Sequence, residues 1–371
     1  MKKLLKITFT LIFTAIIVLG FAVPVNMVGN WYQQFLPSLP NLQVSDMYFQ
    51  DSLTGYIVTG NGSPNDSSGY ILKTTNGGDN WILKFAEFRD FSRVKFINAN
   101  TGFVSGGYFN GARIYKTTNA GENWSPIGIP GGGQIFFNDM YVLSEDTIWV
   151  VADNSLVGGV FVTRNGGTSW QNQGNFGSSN PSHIYMYNAR IGFIDGMKKT
   201  TNSGVNWFPI AGSEPSLFFD MHFTDSLTGW KCHQQMRKTT DGGFSWVNQT
   251  LPSGGIILLN YMMKFHNLNA DTIWGVGGEV FYGAGQFRGL IFRTTNGGNN
   301  WLFQIPDTAI HSAQFQHIQF ISRRNGWAYW PSSGTHTVLG GDTNFLVGIQ
   351  QISSEIPKQY LLQQNYPNPF N

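Results

Sequence analysis

Lys73-Thr-Thr-Asn-Gly-Gly-Asp-Asn-Trp81 is the stretch whose reading decides the fold, because the chain repeats it. Variants are Lys116-Thr-Thr-Asn-Ala-Gly-Glu-Asn-Trp124, Thr163-Arg-Asn-Gly-Gly-Thr-Ser-Trp170 and Lys199-Thr-Thr-Asn-Ser-Gly-Val-Asn-Trp207. Two more are Lys238-Thr-Thr-Asp-Gly-Gly-Phe-Ser-Trp246 and Arg293-Thr-Thr-Asn-Gly-Gly-Asn-Asn-Trp301. Successive tryptophans stand 43, 46, 37, 39 and 55 residues apart, the period of a four-stranded propeller blade and not of a helical repeat. Asn76, Asn119, Asn165, Asn202, Asp241 and Asn296 head the turns. The glycines after them supply the positive φ of a tight hairpin, and the Asn or Asp side chain is expected to bond an amide one or two residues on. Trp81, Trp124, Trp170, Trp207, Trp246 and Trp301 then open the next strand and pack back over the hairpin. Burying roughly 200 Å² of indole at about 25 cal/mol per Å² is worth up to about 5 kcal/mol before entropy. That accounts for the repeated Trp without a ligand.

A second motif precedes each box: a short strand, a turn, then Gly or Ile before an aromatic. It runs Asp46-Met-Tyr-Phe49 to Gly55-Tyr56, Arg93-Val-Lys-Phe96 to Gly102-Phe103, and Asp139-Met-Tyr-Val142 to Ile148-Trp149. It continues as His183-Ile-Tyr-Met186 to Gly192-Phe193, Asp220-Met-His-Phe223 to Gly229-Trp230, Lys264-Phe-His-Asn267 to Ile273-Trp274, and His317-Ile-Gln-Phe320 to Gly326-Trp327. Seven such copies against six clear boxes imply a seventh, decayed box at Gly340-Gly-Asp-Thr-Asn-Phe345. The expected fold is an all-β, seven-bladed β-propeller of four-stranded antiparallel blades, spanning 23–349. An open edge strand invites aggregation, so Trp31–Phe35 is expected to join the last blade as its outer strand, with Phe345–Ile349 the competing candidate.

Composition agrees. Aromatics are 15% and Gly 45 residues, while charged residues are 12%, which suits many short strands on Gly-rich turns. The net charge of +2 offers no general attraction for nucleic acid, and the chain reads as a monomer. Cys232 stands alone, so no intrachain disulfide forms and the thiol reads as strand filler.

Both ends read as addresses. Met1-Lys2-Lys3 and Lys6 precede an apolar run from Ile7 to Val23, the pattern of a secretory signal cleaved after Ala22, with no membrane span left thereafter. Residues 350–371 read as a linker ending in Gln364-Asn-Tyr-Pro-Asn-Pro-Phe-Asn371. That run resembles the start of the C-terminal sorting domain read by the type IX secretion machinery of Bacteroidetes-type bacteria, and implies export to the outer surface or medium.

The boxes resemble the Asp-box (BNR) repeats of sialidases. The longer unit is similar to the photosystem II assembly-factor type of propeller. The resemblance, over about residues 30 to 345, implies the fold; propellers of this kind include hydrolases, assembly factors and adhesive modules, so it leaves function open. The sialidase apparatus is missing from the sequence: there is no N-terminal Arg-Ile-Pro element, and no arginine before Arg89. A paired-carboxylate glycosidase needs two carboxyl groups flanking the bond; Asp46, Asp139 and Asp220, at one repeat position, are the candidates. Their repetition favours bonds to amides of neighbouring blades. The seven histidines show no metal-ligand spacing, and neither metal nor cofactor is expected.

The remaining site is a ring. Asp46, Arg93, Asp139, His183, Asp220, Lys264 and His317 occupy one aligned position, and strand alternation is expected to aim them together into the channel. With Tyr48, Tyr141 and Tyr185 nearby, such a lining suits a protein or carbohydrate ligand. The functional expectation is a non-catalytic binding or assembly module, with a glycoside hydrolase at the channel mouth as the alternative.

Overall fold

A computed structural model describes residues 31–340 except 61–68, 108–110, 131–135, 154–158, 175, 177–180, 196–197, 211–216, 282–285, 307–309 and 311. The signal segment, the Gly341–Phe345 part of the decayed box, the competing strand Phe345–Ile349 and the sorting motif lie outside these residues.

Seven antiparallel sheets follow one another along the chain. Blade 1 runs Val44–Phe49, Gly55–Thr59, Gly69–Thr74 and Ile82–Glu87 from inside to outside. Blades 2 to 5 repeat that order, beginning with Phe91–Phe96, Phe136–Val142, Ile184–Met186 and Asp220–Phe223. Blade 7 takes His317–Phe320, Gly326–Trp330 and Ser333–Thr337 from the end of the chain. Its outer strand is Trp31–Phe35, paired Trp31 to Thr337 through Phe35 to Ser333, so the ring closes as the sequence implies. Blade 6 departs from the pattern. Its second strand, Ile273–Phe281, pairs with both Lys264–Asn267 and an added strand, Ile257–Leu259. The unusually long Trp246–Trp301 interval holds that addition.

Burial follows position in the sheet. The second and third strands of blade 1 are buried at every residue, the innermost mixes buried and half-buried residues, and the outermost has none fully buried. The second motif is explained by volume. A Cβ on Gly55 would lie 2.5 Å from the Phe49 ring, on Gly102 2.7 Å from Phe96, on Gly229 2.6 Å from Phe223, and on Gly326 2.4 Å from Phe320. Where the first-strand residue is smaller, Ile takes the place of Gly: Val142 faces Ile148 and Asn267 faces Ile273.

The aromatic after that Gly or Ile reaches across to the next blade. Tyr56 stacks on Phe96 at 3.9 Å, Phe193 on Phe223 at 4.9 Å and Trp274 on Phe320 at 4.0 Å. Trp327 of blade 7 stacks on Phe49 of blade 1 at 3.7 Å, the same joint across the closure. The box tryptophans meet these rings edge-on: Trp81 on Phe49, Trp124 on Phe96 and Trp246 on Phe223, all near 6 Å. Each such pair adds about 0.5–1.5 kcal/mol beyond the area it buries.

The box turn places two consecutive residues at positive φ: Gly77 and Gly78, Ala120 and Gly121, Ser203 and Gly204, Gly297 and Gly298. The Asn side chain reaches farther than expected, because the preceding Thr fills the near positions. Thr74 Oγ1 donates to Asn76 Oδ1 and accepts from the Gly78 amide, while Asn76 Oδ1 accepts from the Asn80 amide, four residues on. The decayed box keeps part of this, with Thr337 Oγ1 accepting from the Gly340 amide. The turn carbonyl is also a docking point for the preceding blade. Gly77 O accepts from Trp327 Nε1 and Gln34 Nε2, both at 2.7 Å. Gly297 O accepts from Trp230, Lys238 and Gln249.

Gly102→Ala is expected to cost about 1–3 kcal/mol by overpacking against Phe96. Ala120→Gly, which frees a left-handed position, is expected to be neutral or to add up to about 1 kcal/mol. Thermal unfolding of the two variants against the parent checks both signs.

Candidate functional site

The innermost strands line a central channel with two lobes of about 350 and 300 Å³, which share Asp46, Lys95, Asp220, His222 and Lys264. Six of the seven expected ring residues reach it: Asp46, Arg93, Asp139, Asp220 and Lys264 in the larger lobe, His317 in the smaller. All the paired registers agree with the alignment; Lys264 faces Val276 just as Asp46 faces Val58 and Asp220 faces Cys232. His183 is the exception and lines neither lobe. Its Nδ1 lies 3.4 Å from Asp195, and its ring packs beside Phe218 and Phe219. Asp195, which accepts the Ser182 and His183 amides, draws it aside.

The aspartates are structural. Asp46 accepts the Val94 amide at 3.0 Å, Asp139 the Ile184 amide at 3.0 Å and Asp220 the Phe265 amide at 3.2 Å. Each therefore fastens its blade to the following one, in the pairs 1–2, 3–4 and 5–6. The other oxygen of Asp139 takes Arg93 Nε at 2.6 Å. Burial works against the Arg93 charge, but Asp139 and Asp46 outweigh it and raise its pKa.

One turn of the pleat further along, a second tier faces the same space: Tyr48, Lys95, Tyr141, Tyr185, His222, His266 and Gln319. Period-two alternation already implied this tier, yet only its tyrosines stood out in the sequence. Burial raises the pKa of all three tyrosines, so they present neutral hydroxyls at physiological pH. Tyr185 accepts the Phe223 amide, Tyr141 meets it edge-on at 5.8 Å, and Lys95 Nζ lies 5.0 Å over Tyr48. Burial pulls the Lys95 pKa down, with Asp46 opposing. It also lowers that of His222, against Asp220. His266 falls to about 4 through burial and then its neighbours His222 and Lys95.

The channel is thus lined by carboxylates already engaged with amides, neutral imidazoles, phenols and the two lysines. It offers hydrogen bonds, ring faces and ammonium groups. Among the described residues, no cluster of three or more His, Cys, Asp or Glu is placed to hold a metal ion. Cys232 is buried, its thiol pKa raised well above the usual range by desolvation, so it is packing and not a nucleophile.

His317 and His266, both held at about 4 chiefly by burial, make stability depend on pH. The unfolded chain takes up protons near pH 6.5, before the folded one does, so folding free energy falls as pH drops from about 6.5 to 4. His317→Gln is expected to flatten that slope, measured as the unfolding midpoint between pH 7.5 and 4.5. An unchanged slope refutes the assignment.

No protein-family model matches the chain, and no curated protein does. Solved structures do. YCF48 bound to a D1 peptide superposes with a TM-score of 0.60 at 19% identity, over 85% of this chain and 99% of that one. YCF48 from Cyanidioschyzon merolae gives 0.59 at 17% identity, over 83% and 98%. The GH74 xyloglucanase from Xanthomonas campestris gives 0.58 at 11% identity, over 85% of this chain and 54% of the enzyme. At these identities the likeness is one of fold, the seven-bladed propeller.

Proposed function

We propose that this chain is an exported, non-catalytic propeller that binds a protein or glycan ligand at its channel, as a binding or assembly module. The observation that carries this reading is the use of Asp46, Asp139 and Asp220. Each repeats one interblade bond to an amide, whereas a glycosidase needs an acid and a second carboxylate free to act on substrate and water. The second tier supplies what a binding site needs instead, phenol faces, neutral donors and Lys95, with Lys264 of the first ring beside it. A propeller of the same fold, YCF48, has been solved with a peptide bound, which supports a protein ligand. The runner-up reading, a glycoside hydrolase, draws its support from the fold shared with the GH74 enzyme. The Met1–Val23 segment and the motif at residues 364–371 support export through the type IX route.

A pull-down and glycan-array screen, run beside a general glycosidase assay, tests the proposal. The expected result is saturable binding without turnover, weakened about tenfold or more by Lys95→Met or Tyr141→Ala. Turnover that is lost in Asp46→Asn, Asp139→Asn or Asp220→Asn overturns it. For export, the secreted protein is expected to begin at Val23; cell-retained protein still carrying residues 1–22 counts against it.

A further inference from the structure

The interval from Trp246 to Trp301 holds a segment that the blade pattern does not require. After the outer strand of blade 5, Val247–Gln249, the chain adds Ile257–Leu259 to the edge of Ile273–Phe281 before entering the innermost strand of blade 6 at Lys264. Along the outer strand of blade 5, between the box turn of blade 6 at Gly298 and Asn299 and the residues Asn260 and Tyr261 that follow the added strand, lies a groove away from the channel. It consists of two hollows of about 300 and 290 Å³ that meet along Asn248, Gln249 and Thr250.

The lining is chemically one-sided. Gln234, Gln235, Asn248, Gln249, Asn260 and Asn299 contribute carboxamides, and most of the remaining lining residues carry hydroxyls. No carboxylate is among the lining residues, and Lys238 is their one charged side chain. It is directed at Gly297 O at 3.3 Å and sits 4.9 Å over the Trp230 ring.

Two of the amides form a fixed floor. Gln249 is held between Gly297 O and Trp301 Nε1, and Gln235 accepts from Arg237. Among the described residues, the side chains of Gln234, Asn248, Asn260 and Asn299 make no hydrogen bond within the protein, and Gln234 and Asn248 are exposed. Tyr261, 36% exposed, offers a ring at one end. The wall is set in place by a constrained backbone: Gln234 has φ of 63°, and its carbonyl accepts the Met262 amide at 2.7 Å, tying the turn of blade 5 to the added segment.

We propose that this groove binds a neutral oligosaccharide. Carboxamides and hydroxyls both donate and accept, as sugar hydroxyls do, and an exposed phenol ring gives a flat surface for a pyranose face. An acidic glycan would find a single cation, Lys238, drawn toward Gly297 O and the Trp230 ring. A strand-forming peptide would find an edge only three residues long, Val247–Gln249, too short a template for β-addition. The inference is independent of the channel reading, since the two sites share no residue.

The test is affinity electrophoresis of the whole protein through gels containing hydroxyethyl cellulose, arabinoxylan, galactomannan or soluble starch, with polygalacturonate as the charged control. At least one neutral polymer is expected to retard the protein and polygalacturonate is not. Tyr261→Ala and Asn248→Asp are each expected to weaken that retardation about tenfold, with unfolding midpoints unchanged. The channel variant Lys95→Met is expected to leave it intact. Retardation by none of the neutral polymers overturns the proposal. So does retardation that survives both groove substitutions, or that Lys95→Met abolishes; the last result assigns the glycan to the channel and leaves the channel reading standing.

Discussion

Glycine and a flat ring occupy complementary space in this molecule, and the ring of blades rests on that fit. Gly55, Gly102, Gly229 and Gly326 leave room for the first-strand Phe of their own blades. The aromatic that follows each of the first two and the last lies beside a ring or apolar side chain of the next blade, as in Tyr56 on Phe96 and Trp327 on Phe49. A sheet so short is barely stable by itself. The stacked joint converts it into a unit that needs two neighbours, which only a closed ring supplies to all seven. The box carbonyls, receiving Trp, Lys and Gln donors from the blade before, fix the angle at which one sheet meets the next.

This division of labour decides what the sequence could disclose. The blade count, the inner-to-outer order and the closing strand Trp31–Phe35 were legible because they rest on local signals: Asn-Gly turns, repeated Trp and a regular interval. The alignment of Lys264, the least obvious member, was legible through Thr272-Ile273-Trp274 alone. Three things were not. The added strand Ile257–Leu259 follows a Pro252-Ser-Gly-Gly255 turn, but it fits no position of the repeat, and its partner Val280 lies beyond a register shift. His183 leaves the channel because of Asp195, just past the strand Gly192–Ile194, a carboxylate at the repeat position that Val58, Cys232 and Val276 hold in other blades. The second tier was hidden by its variety, since tyrosine, lysine, histidine and glutamine at one aligned position do not look like a motif until the pleat brings them together.

The channel illustrates how a repeat can disguise a site. A residue conserved in kind from blade to blade, as Asp is in blades 1, 3 and 5, serves the scaffold, and the structure gives all three the same task at the same distance within 0.2 Å. Individuality lies in the positions that break the pattern. Lys95 among tyrosines, and the histidines of blades 5 and 6 at the same aligned position, are such departures, and the amide-lined groove lies beside the added strand that only blade 6 carries among the described residues. Such departures cost nothing in blade geometry, because the faces concerned look into the channel or out to solvent.

Closure by the first described strand has a further consequence for how the chain comes into being. Trp31, only 1% exposed in the finished molecule, pairs with Thr337, so its partner is made some three hundred residues later. At about 5–20 residues per second of synthesis that is a wait of roughly 15–60 s, during which an aromatic strand leads the nascent polypeptide with nothing to pair against. Blades 1 to 6 hold all their own strands before then, but Phe49 lacks its Trp327 and Gly77 its indole donor until the very end. The molecule therefore passes through an open arc, and its last blade gains an outer edge only when Trp31–Phe35 meets Ser333–Thr337.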